Sequence, residues 1–324
     1  MKNTLPQQLT EQLEIPVIAA PMFLISSPKL VIESCKSGII GSFPLLNART
    51  GAILEDWLQQ ITTELEQIKS EEPSRRVAPW AVNFIVHRSN KRFEEDLELI
   101  KKYQPPIVIT SLGNPKPIVK IVHDYGGLVF SDVANLAHAR KAADTGVDGL
   151  ILVCNGAGGH AGTTNPFAFI SAVKQFWDGI TILAGSITNG QDILASQALG
   201  ADISYMGTRF IAASESFASD DYQQMLIDST FEDLVYTDAF SGVNANYLIP
   251  SIQKAGLDPE NLQKKEDIDF SEMDQSKPKA NAWKDIWSAG QGVTTIKDVK
   301  PVADIITELK NDYHHALDAL VKNK

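Results

Sequence analysis

Residues 181–210 read TILAGSITNGQDILASQALGADISYMGTRF, and they contain one complete unit of a repeating pattern. A short apolar run, Thr181–Ala184, is followed by an alanine-rich segment, Gln191–Leu199, whose spacing is typical of a helix. Gly200 ends that helix, and a second apolar run follows at Ile203–Met206. The order strand, helix, strand predicts a βαβ unit with two parallel strands.

The same alternation extends from Ile15 to Phe210. Gly-x-Asp motifs at residues 146–148 and 200–202 each precede a strand, which is a weak internal repeat. Eight apolar runs that alternate with helical stretches favour a closed (β/α)8 barrel over a doubly wound sheet with fewer strands. The predicted strands are Pro16–Ala20, Ile39–Ser42, Trp80–Phe84, Ile107–Thr110, Leu128–Ser131, Gly149–Val153, Thr181–Ala184 and Ile203–Met206.

After Phe210 the regular alternation of apolar strands and helices ends. The sequence therefore predicts an α/β fold: a TIM barrel, followed by a C-terminal helical and loop insertion over its mouth. We place the barrel at 1–213, a helical or lid region at 214–296, and a terminal helix packed on the barrel at 297–324. Residues 261–284, which are mostly polar and lack clear periodicity, are candidates for the lid. Two amphipathic helices are predicted from apolar stripes: Ile53, Leu54, Trp57, Leu58, Ile61, Leu65 and Ile68, and Val302, Ile305, Ile306, Leu309 and Leu317.

Composition limits the classes of partner. The chain has 324 residues, is 44% hydrophobic and carries a net charge of −11, which argues against nucleic acid or an anionic membrane as the main partner. Two distant cysteines, Cys35 and Cys154, imply no disulfide framework. With no apolar run of about 20 residues and no signal peptide in residues 1–16, we predict a soluble cytoplasmic protein. The oligomeric state is not defined by the sequence.

Two glycine-containing loops predict a phosphate site. Residues just beyond the carboxyl ends of barrel strands face the active site, and the loops after strands seven and eight commonly bind phosphate. Gly185 and Ser186 follow the seventh strand, and Gly207 and Thr208 follow the eighth. Glycines let backbone N–H groups approach an anion, while the hydroxyls add further donors. The alternative is that these glycines only form tight turns.

A histidine lies in a glycine-rich loop after the sixth strand, in the sequence Gly156-Ala157-Gly158-Gly159-His160-Ala161-Gly162. Because histidine titrates near neutral pH, His160 can act as a base or, when protonated, attract an anion. The remaining histidines are interpreted as structural: His87, His123, His138, His314 and His315.

Other reactive residue types give weaker signals. The sequence contains no His-x-x-x-His or Cys-x-x-Cys motif, so no metal site is predicted. Cys154 is interpreted as a buried residue rather than a nucleophile. Asp132 and Asp148 are candidates to orient a partner, and Asp148 is expected to cap a turn.

The chain resembles the nitronate monooxygenases over nearly its whole length. The matching segments are Ala19-Ala20-Pro21-Met22, Val82-Asn83, Ala157-Gly158-Gly159-His160-Ala161-Gly162, Leu183-Ala184-Gly185-Ser186-Ile187, Leu199-Gly200-Ala201-Asp202, Met206-Gly207-Thr208-Arg209-Phe210, Ala239-Phe240-Ser241-Gly242 and Trp287-Ser288-Ala289-Gly290-Gln291-Gly292. The family often has Gln-Gly-x-Glu where this chain has Val153-Cys154-Asn155-Gly156, so a flavin-contacting amide and a carboxylate are replaced here, unless Asn155 takes over the amide's role.

This resemblance implies FMN at the barrel mouth and His160 as the catalytic residue. The isoalloxazine ring would lie along Ala20–Met22 and Asn83, and the phosphate would bind between Gly185, Ser186, Gly207 and Thr208. The residues assigned to the cofactor are Ala20, Pro21, Met22, Asn83, Ser111, Gly158, Gly159, Gly185, Ser186, Gly207, Thr208, Gly290 and Gln291.

Three functions remain open from the sequence. The leading hypothesis is FMN-dependent oxidation of alkyl nitronates with O2 to a carbonyl compound and nitrite. The alternative is an NAD(P)H-dependent FMN reductase that acts on quinones or enoyl thioesters. The third is a phosphate-binding barrel without redox chemistry.

Overall fold

Eight parallel strands close into a barrel in the computed structural model, which describes residues 5–87, 90–264 and 285–322. The barrel strands are β1 (Val17–Ala19), β2 (Ile40–Pro44), β3 (Trp80–Ile85), β4 (Ile107–Ser111), β5 (Leu128–Val133), β6 (Gly149–Val153), β8 (Ile180–Ala184) and β9 (Ile203–Met206). β9 pairs with β1 to complete the closure. All eight predicted strands are confirmed, with ends that shift by no more than two residues.

The described residues form twelve α-helices, most of which cover the outside of the barrel. They are α1 (Gln7–Gln12), α2 (Pro28–Lys36), α3 (Gly51–Glu71), α4 (Phe93–Tyr103), α5 (Lys116–Asp124), α6 (Leu136–Ala143), α7 (Pro166–Val173), α8 (Gly190–Leu199), α9 (Thr208–Ile211), α10 (Asp220–Asp228), α11 (Ile249–Lys254) and α12 (Val302–Lys322). Seven of them, α2 to α8, connect successive barrel strands, and α12 packs between α8 and α2 to complete the ring. Within the described ranges, no helix is both long and apolar enough to cross a bilayer.

Two apolar layers stabilise the barrel. Successive side chains of a strand point to opposite faces. In β6, Ile151 therefore lies in the interior cluster, while Leu150 and Leu152 pack beneath the helices. Leu9 and Leu13 belong to the interior cluster, so the N-terminal helix region closes the end of the barrel opposite the site.

The two Gly-x-Asp motifs perform the same structural task. Each begins with a glycine at positive φ, a conformation that glycine adopts without a Cβ clash. The Asp148 carboxylate accepts a hydrogen bond from the Val129 N–H (2.7 Å), and Asp202 accepts one from the Thr181 N–H (2.8 Å). Each aspartate thus joins the start of its own strand to the start of a neighbouring strand, which explains the repeat seen in the sequence.

The chain after the barrel contributes a second sheet. β10 (Leu234–Thr237), β11 (Ala245–Leu248) and β7 (Gly159–His160) form it in the order β10-β11-β7, with antiparallel pairing. The region 214–296 also contains α10, α11 and a 3-10 turn at Gln291–Thr295. Most of the predicted lid segment, 265–284, lies outside the described residues.

The amphipathic stripes are confirmed in part. In α3, Leu54, Leu58, Ile61 and Leu65 are buried, but Ile53 is 39% exposed because it lies at the edge of the buried face. In α12, the predicted residues Val302, Ile305, Ile306 and Leu309 are buried. Leu317 is 38% exposed because the helix extends beyond the surface on which it packs. A Cβ on Gly190 would lie 2.1 Å from the Tyr313 nitrogen, so α8 and α12 meet backbone to backbone.

Candidate active site

A cavity of about 960 Å³ opens at the carboxyl ends of the barrel strands. It gathers every predicted site residue except Gln291, which is exposed. The Gln291 N–H donates to the Gly156 carbonyl (3.0 Å), so this residue fixes a loop of the site instead of lining it. The lining residues among those predicted are Ala20, Pro21, Met22, Asn83, Ser111, Gly158, Gly159, His160, Gly185, Ser186, Gly207, Thr208 and Gly290.

The loops after β6, β8 and β9 meet in the cavity so closely that glycine positions there have no room for a larger side chain. A Cβ on Gly156 would lie 2.0 Å from the Ser186 Oγ, and a Cβ on Gly158 would lie 2.7 Å from the Gly290 nitrogen. The Gly290 N–H donates to the Thr208 Oγ1 (2.9 Å). The glycines are therefore required for close contact between the loops that follow β6, β8 and β9 and the segment around residue 290.

The turn after β8 has an unusual backbone. Gly185 has a φ of 126°, and Ser186, although not a glycine, has a φ of 57°. Non-glycine residues in the left-handed region cluster at ligand-binding sites. Among the described lining residues, Lys141 is the only lysine or arginine, and its helix α6 follows β5, two strands away from this turn. An anion at the turn would thus bind to N–H and hydroxyl groups rather than to a cationic side chain.

Backbone pairing and a serine hold His160. Its backbone pairs with Ala245 of β11, and its Nε2 lies 3.1 Å from the Ser241 Oγ. Because the Ser241 hydroxyl donates to the Val243 carbonyl (3.0 Å), Ser241 accepts from the Nε2–H of His160. This assigns the tautomer with the proton on Nε2 and a lone pair on Nδ1. Sequence reasoning noted Ser241 only as part of a matching segment.

Burial favours one of the two roles considered for His160. It lowers the pKa of the imidazole to about 4, because the charged form loses hydration. The ring is therefore neutral near pH 7. A neutral imidazole suits a base or a hydrogen-bonding group and does not attract an anion through charge.

Asn246 is a site residue that sequence reasoning missed. Its buried side-chain Nδ2 donates to the carbonyls of Asn155 (3.2 Å) and Ala157 (2.7 Å). It thereby fixes the glycine loop from β11, and no local motif marks it. Asn155, considered as a substitute for a flavin-contacting amide, does not line the cavity.

The floor of the cavity holds a polar chain across three strands. The Asn83 Nδ2 donates to the Ser111 Oγ (2.6 Å), and the Ser111 hydroxyl donates to the Asp132 Oδ2. Burial raises the pKa of Asp132 to about 6, against the opposing effect of the Ser111 hydrogen bond. Asp132 therefore lies in the cavity as a carboxyl group that titrates near neutral pH.

The remaining predictions have mixed outcomes. Cys154 is buried as expected, and burial raises the pKa of its thiol to about 12, which disfavours a nucleophilic thiolate. The sequence predicts structural roles for His87 and His138, whereas the structure places both among the residues that line the cavity. No three His, Cys, Asp or Glu side chains in the described part of the chain are grouped to hold a metal ion.

Comparisons with known proteins agree on one family. The sequence model described as nitronate monooxygenase matches residues 6–312. A probable nitronate monooxygenase of Staphylococcus aureus (strain MSSA476) is 28% identical over 273 residues, covering 74% of this chain and 76% of that protein.

Two solved structures share the architecture over nearly the whole chain. FabK from Thermotoga maritima has a TM-score of 0.80 and 23% identity, covering 99% of this chain and 100% of its own. A nitroalkane oxidase from Streptomyces ansochromogenes has a TM-score of 0.75 and 21% identity, covering 96% of this chain and 99% of its own. At these identities, the structural likeness supports the barrel fold alone.

Proposed function

Because the chain belongs to the nitronate monooxygenase family, we propose that it oxidises small alkyl nitronates with O2 to carbonyl compounds and nitrite. Like its family, the chain is an FMN-dependent oxidoreductase. Two nitronate anions and one O2 yield two carbonyl molecules and two nitrite ions, which balances atoms and charge. The bound FMN supplies the path for electrons between substrate and O2. Membership of this family sets aside a barrel without redox chemistry.

The residues of the cavity fit FMN. The turn at Gly185 and Ser186, with Thr208 beside it, offers hydroxyl and backbone groups to a terminal phosphate. The apolar Ala20–Met22 segment and the glycines of the His160 loop line the same cavity and suit a flat ring. The volume of about 960 Å³ lies at the upper end of the usual range for ligand pockets, roughly 300–1,000 Å³, which suits a cofactor together with a second molecule.

The neutral, oriented imidazole of His160 is the observation that carries this proposal. Ser241 accepts the Nε2–H, so the lone pair of the neutral ring is on Nδ1, and we assign the role of the base to that nitrogen. With a neutral nitroalkane as the substrate, the α-carbon proton passes to Nδ1 and the electron pair of the C–H bond moves into the nitro group. The product of that step is the nitronate. His160 therefore prepares the substrate, and its low pKa keeps the imidazole in the unprotonated form near pH 7.

Oxygen uptake tests the proposal directly. FMN-loaded protein is mixed with an alkyl nitronate in air, without a nicotinamide nucleotide, while O2 and nitrite are measured. We expect two nitrite ions for each O2 consumed, as the balanced reaction requires. A matched sample with a carboxylate of similar size in place of the nitronate should consume none. Flavin-loaded protein that leaves the nitronate unchanged would contradict the proposal.

A second candidate, the NAD(P)H-dependent reductase, is favoured by the outer part of the cavity. There the cavity continues past His160 to α6, where Lys141 and His138 line it. Lys141 forms no ion pair within the described residues, so it offers a cation to a phosphate-bearing nucleotide. In this case NADH or NADPH reduces the flavin, and Lys141→Ala raises the KM for the nucleotide. A Lys141→Ala variant with an unchanged nucleotide KM would remove the support from this candidate.

A further inference from the structure

Asp132 has a distinctive position in the cavity. It lies in β5, and its Oδ2 accepts the Ser111 hydroxyl, while its Oδ1 is buried and has no hydrogen-bond partner among the described residues. The described residues form no ion pair with it. Since buried carboxylates are usually paired, this group is a charge that the rest of the fold does not compensate.

We propose that Asp132 sets the reduction potential of the bound FMN, because its carboxylate disfavours added electrons in the shared cavity and takes up a solvent proton on reduction. Asp132 lines the same cavity as Asn83 and Ser111, which are assigned to the cofactor. The proposal rests on FMN as the cofactor and is independent of the substrate.

Four residues of the described cavity and barrel interior define the charge environment of Asp132. Ser111 of β4 donates to it, and apolar Ile151 of β6 pairs with it in register. Tyr205 of β9 lines the same cavity. Burial, together with the Asp132 charge, raises the pKa of Tyr205 well above its usual value, so Tyr205 stays a neutral phenol. His160 is neutral in the same range.

The sign of the effect follows from electrostatics between two groups in one cavity. Two electrons added to FMN increase the negative charge in the cavity, and a nearby carboxylate opposes that increase. Reduction therefore raises the pKa of Asp132, and Asp132 takes up a proton from solvent over the pH range between its pKa values in the oxidised and reduced protein. The pKa of Asp132 is raised to about 6, so the effect is present above this pH and vanishes below it.

The test measures the midpoint potential of bound FMN in the flavin-loaded protein. Asp132→Asn keeps an acceptor for Ser111 but removes the charge. At about pH 8 and a given applied potential, we expect the ratio of reduced to oxidised FMN to be about tenfold higher in the variant than in the wild type. For a two-electron couple, this ratio corresponds to a rise of about 30 mV. At about pH 5 the two proteins should have the same potential, because wild-type Asp132 is then protonated.

A matched control and a second variant separate charge from structural damage. Asp144 also lines the cavity but is exposed at its outer end, where water screens it, so Asp144→Asn should leave the potential unchanged at both pH values. Ser111→Ala removes the hydrogen bond that stabilises the Asp132 carboxylate. The pKa of Asp132 then rises further. In a plot of midpoint potential against pH, the pH at which the slope changes should therefore move upward.

The outcomes distinguish the proposal from its premise. A wild-type protein that binds no FMN would overturn the cofactor assignment and this proposal with it. If FMN binds normally in all variants, but Asp132→Asn shifts the potential equally at both pH values or not at all, only the role of Asp132 is refuted. The role of Asp132 would also be refuted if the slope of midpoint potential against pH changed at the same pH in Ser111→Ala as in the wild type.

Discussion

The imidazole of His160 owes its properties to its immediate surroundings. Ser241 binds its Nε2–H, and burial holds its pKa near 4. We expect His160→Asn to retain FMN and to lose roughly 10²–10⁴-fold in turnover, the usual contribution of a general acid or base. Steady-state kinetics with a neutral nitroalkane, alongside the flavin absorbance of each preparation, measure both. Unchanged turnover would exclude a catalytic role for His160.

Ser241 acts through His160, so its loss should have a smaller effect. In Ser241→Ala the Nε2–H loses its acceptor, and the ring is free to adopt other tautomers and orientations. We expect kcat for the nitroalkane to fall by about tenfold, a loss of about 1.4 kcal/mol, while the KM and the FMN content change little. Ser241→Thr keeps the hydroxyl and should restore most of the rate. A Thr variant as slow as the Ala variant would argue against an orienting hydroxyl.

At the scale of elements, the barrel was predictable and the second sheet was not. Most residues of the barrel strands are buried on both faces and many are apolar or β-branched, so runs such as Ile107–Ser111 stand out locally. β7 has only two residues, and it exists because Gly159 and His160 meet a strand from far along the chain. Such a pairing depends on tertiary contact, which also explains why Asn246 left no sequence signal.

The contact between β11 and the glycine loop yields a testable consequence. Asn246→Ala would leave the Asn155 and Ala157 carbonyls without their donor, and a buried unsatisfied group costs about 1–3 kcal/mol. We expect weaker FMN binding and a lower midpoint of thermal unfolding. The matched control is Asn261→Ala, which changes an exposed asparagine outside the cavity and should alter neither quantity. Equal FMN affinity in wild type and Asn246→Ala would refute the role of Asn246 in fixing the glycine loop.

For the whole molecule, cofactor binding and stability are linked because the site joins separate parts of the chain. The loops after β6, β8 and β9 meet residues near 290 at the glycine contacts, so a ligand there bridges the barrel and the later segment. At a free FMN concentration about 100 times its Kd, binding should stabilise the fold by about 2.7 kcal/mol. Removing FMN should therefore lower the midpoint of thermal unfolding.

Riboflavin is the matched ligand for that experiment, because it lacks the phosphate. If the turn at Gly185 and Ser186 binds phosphate, riboflavin at the same concentration should raise the unfolding midpoint less than FMN does. Thermal unfolding followed by circular dichroism measures both. Equal stabilisation by the two flavins would contradict the phosphate assignment, while leaving a flavin site in place.

Anaerobic mixing gives the sharpest test of nitronate oxidation by bound FMN. Flavin-loaded protein is mixed without O2 with an alkyl nitronate and, separately, with NADH and NADPH, while the flavin absorbance is followed. We predict that the nitronate bleaches the oxidised flavin and that neither nucleotide does so at a comparable rate. Bleaching by a nucleotide, with no response to the nitronate, would contradict nitronate oxidation and favour the NAD(P)H-dependent reductase instead.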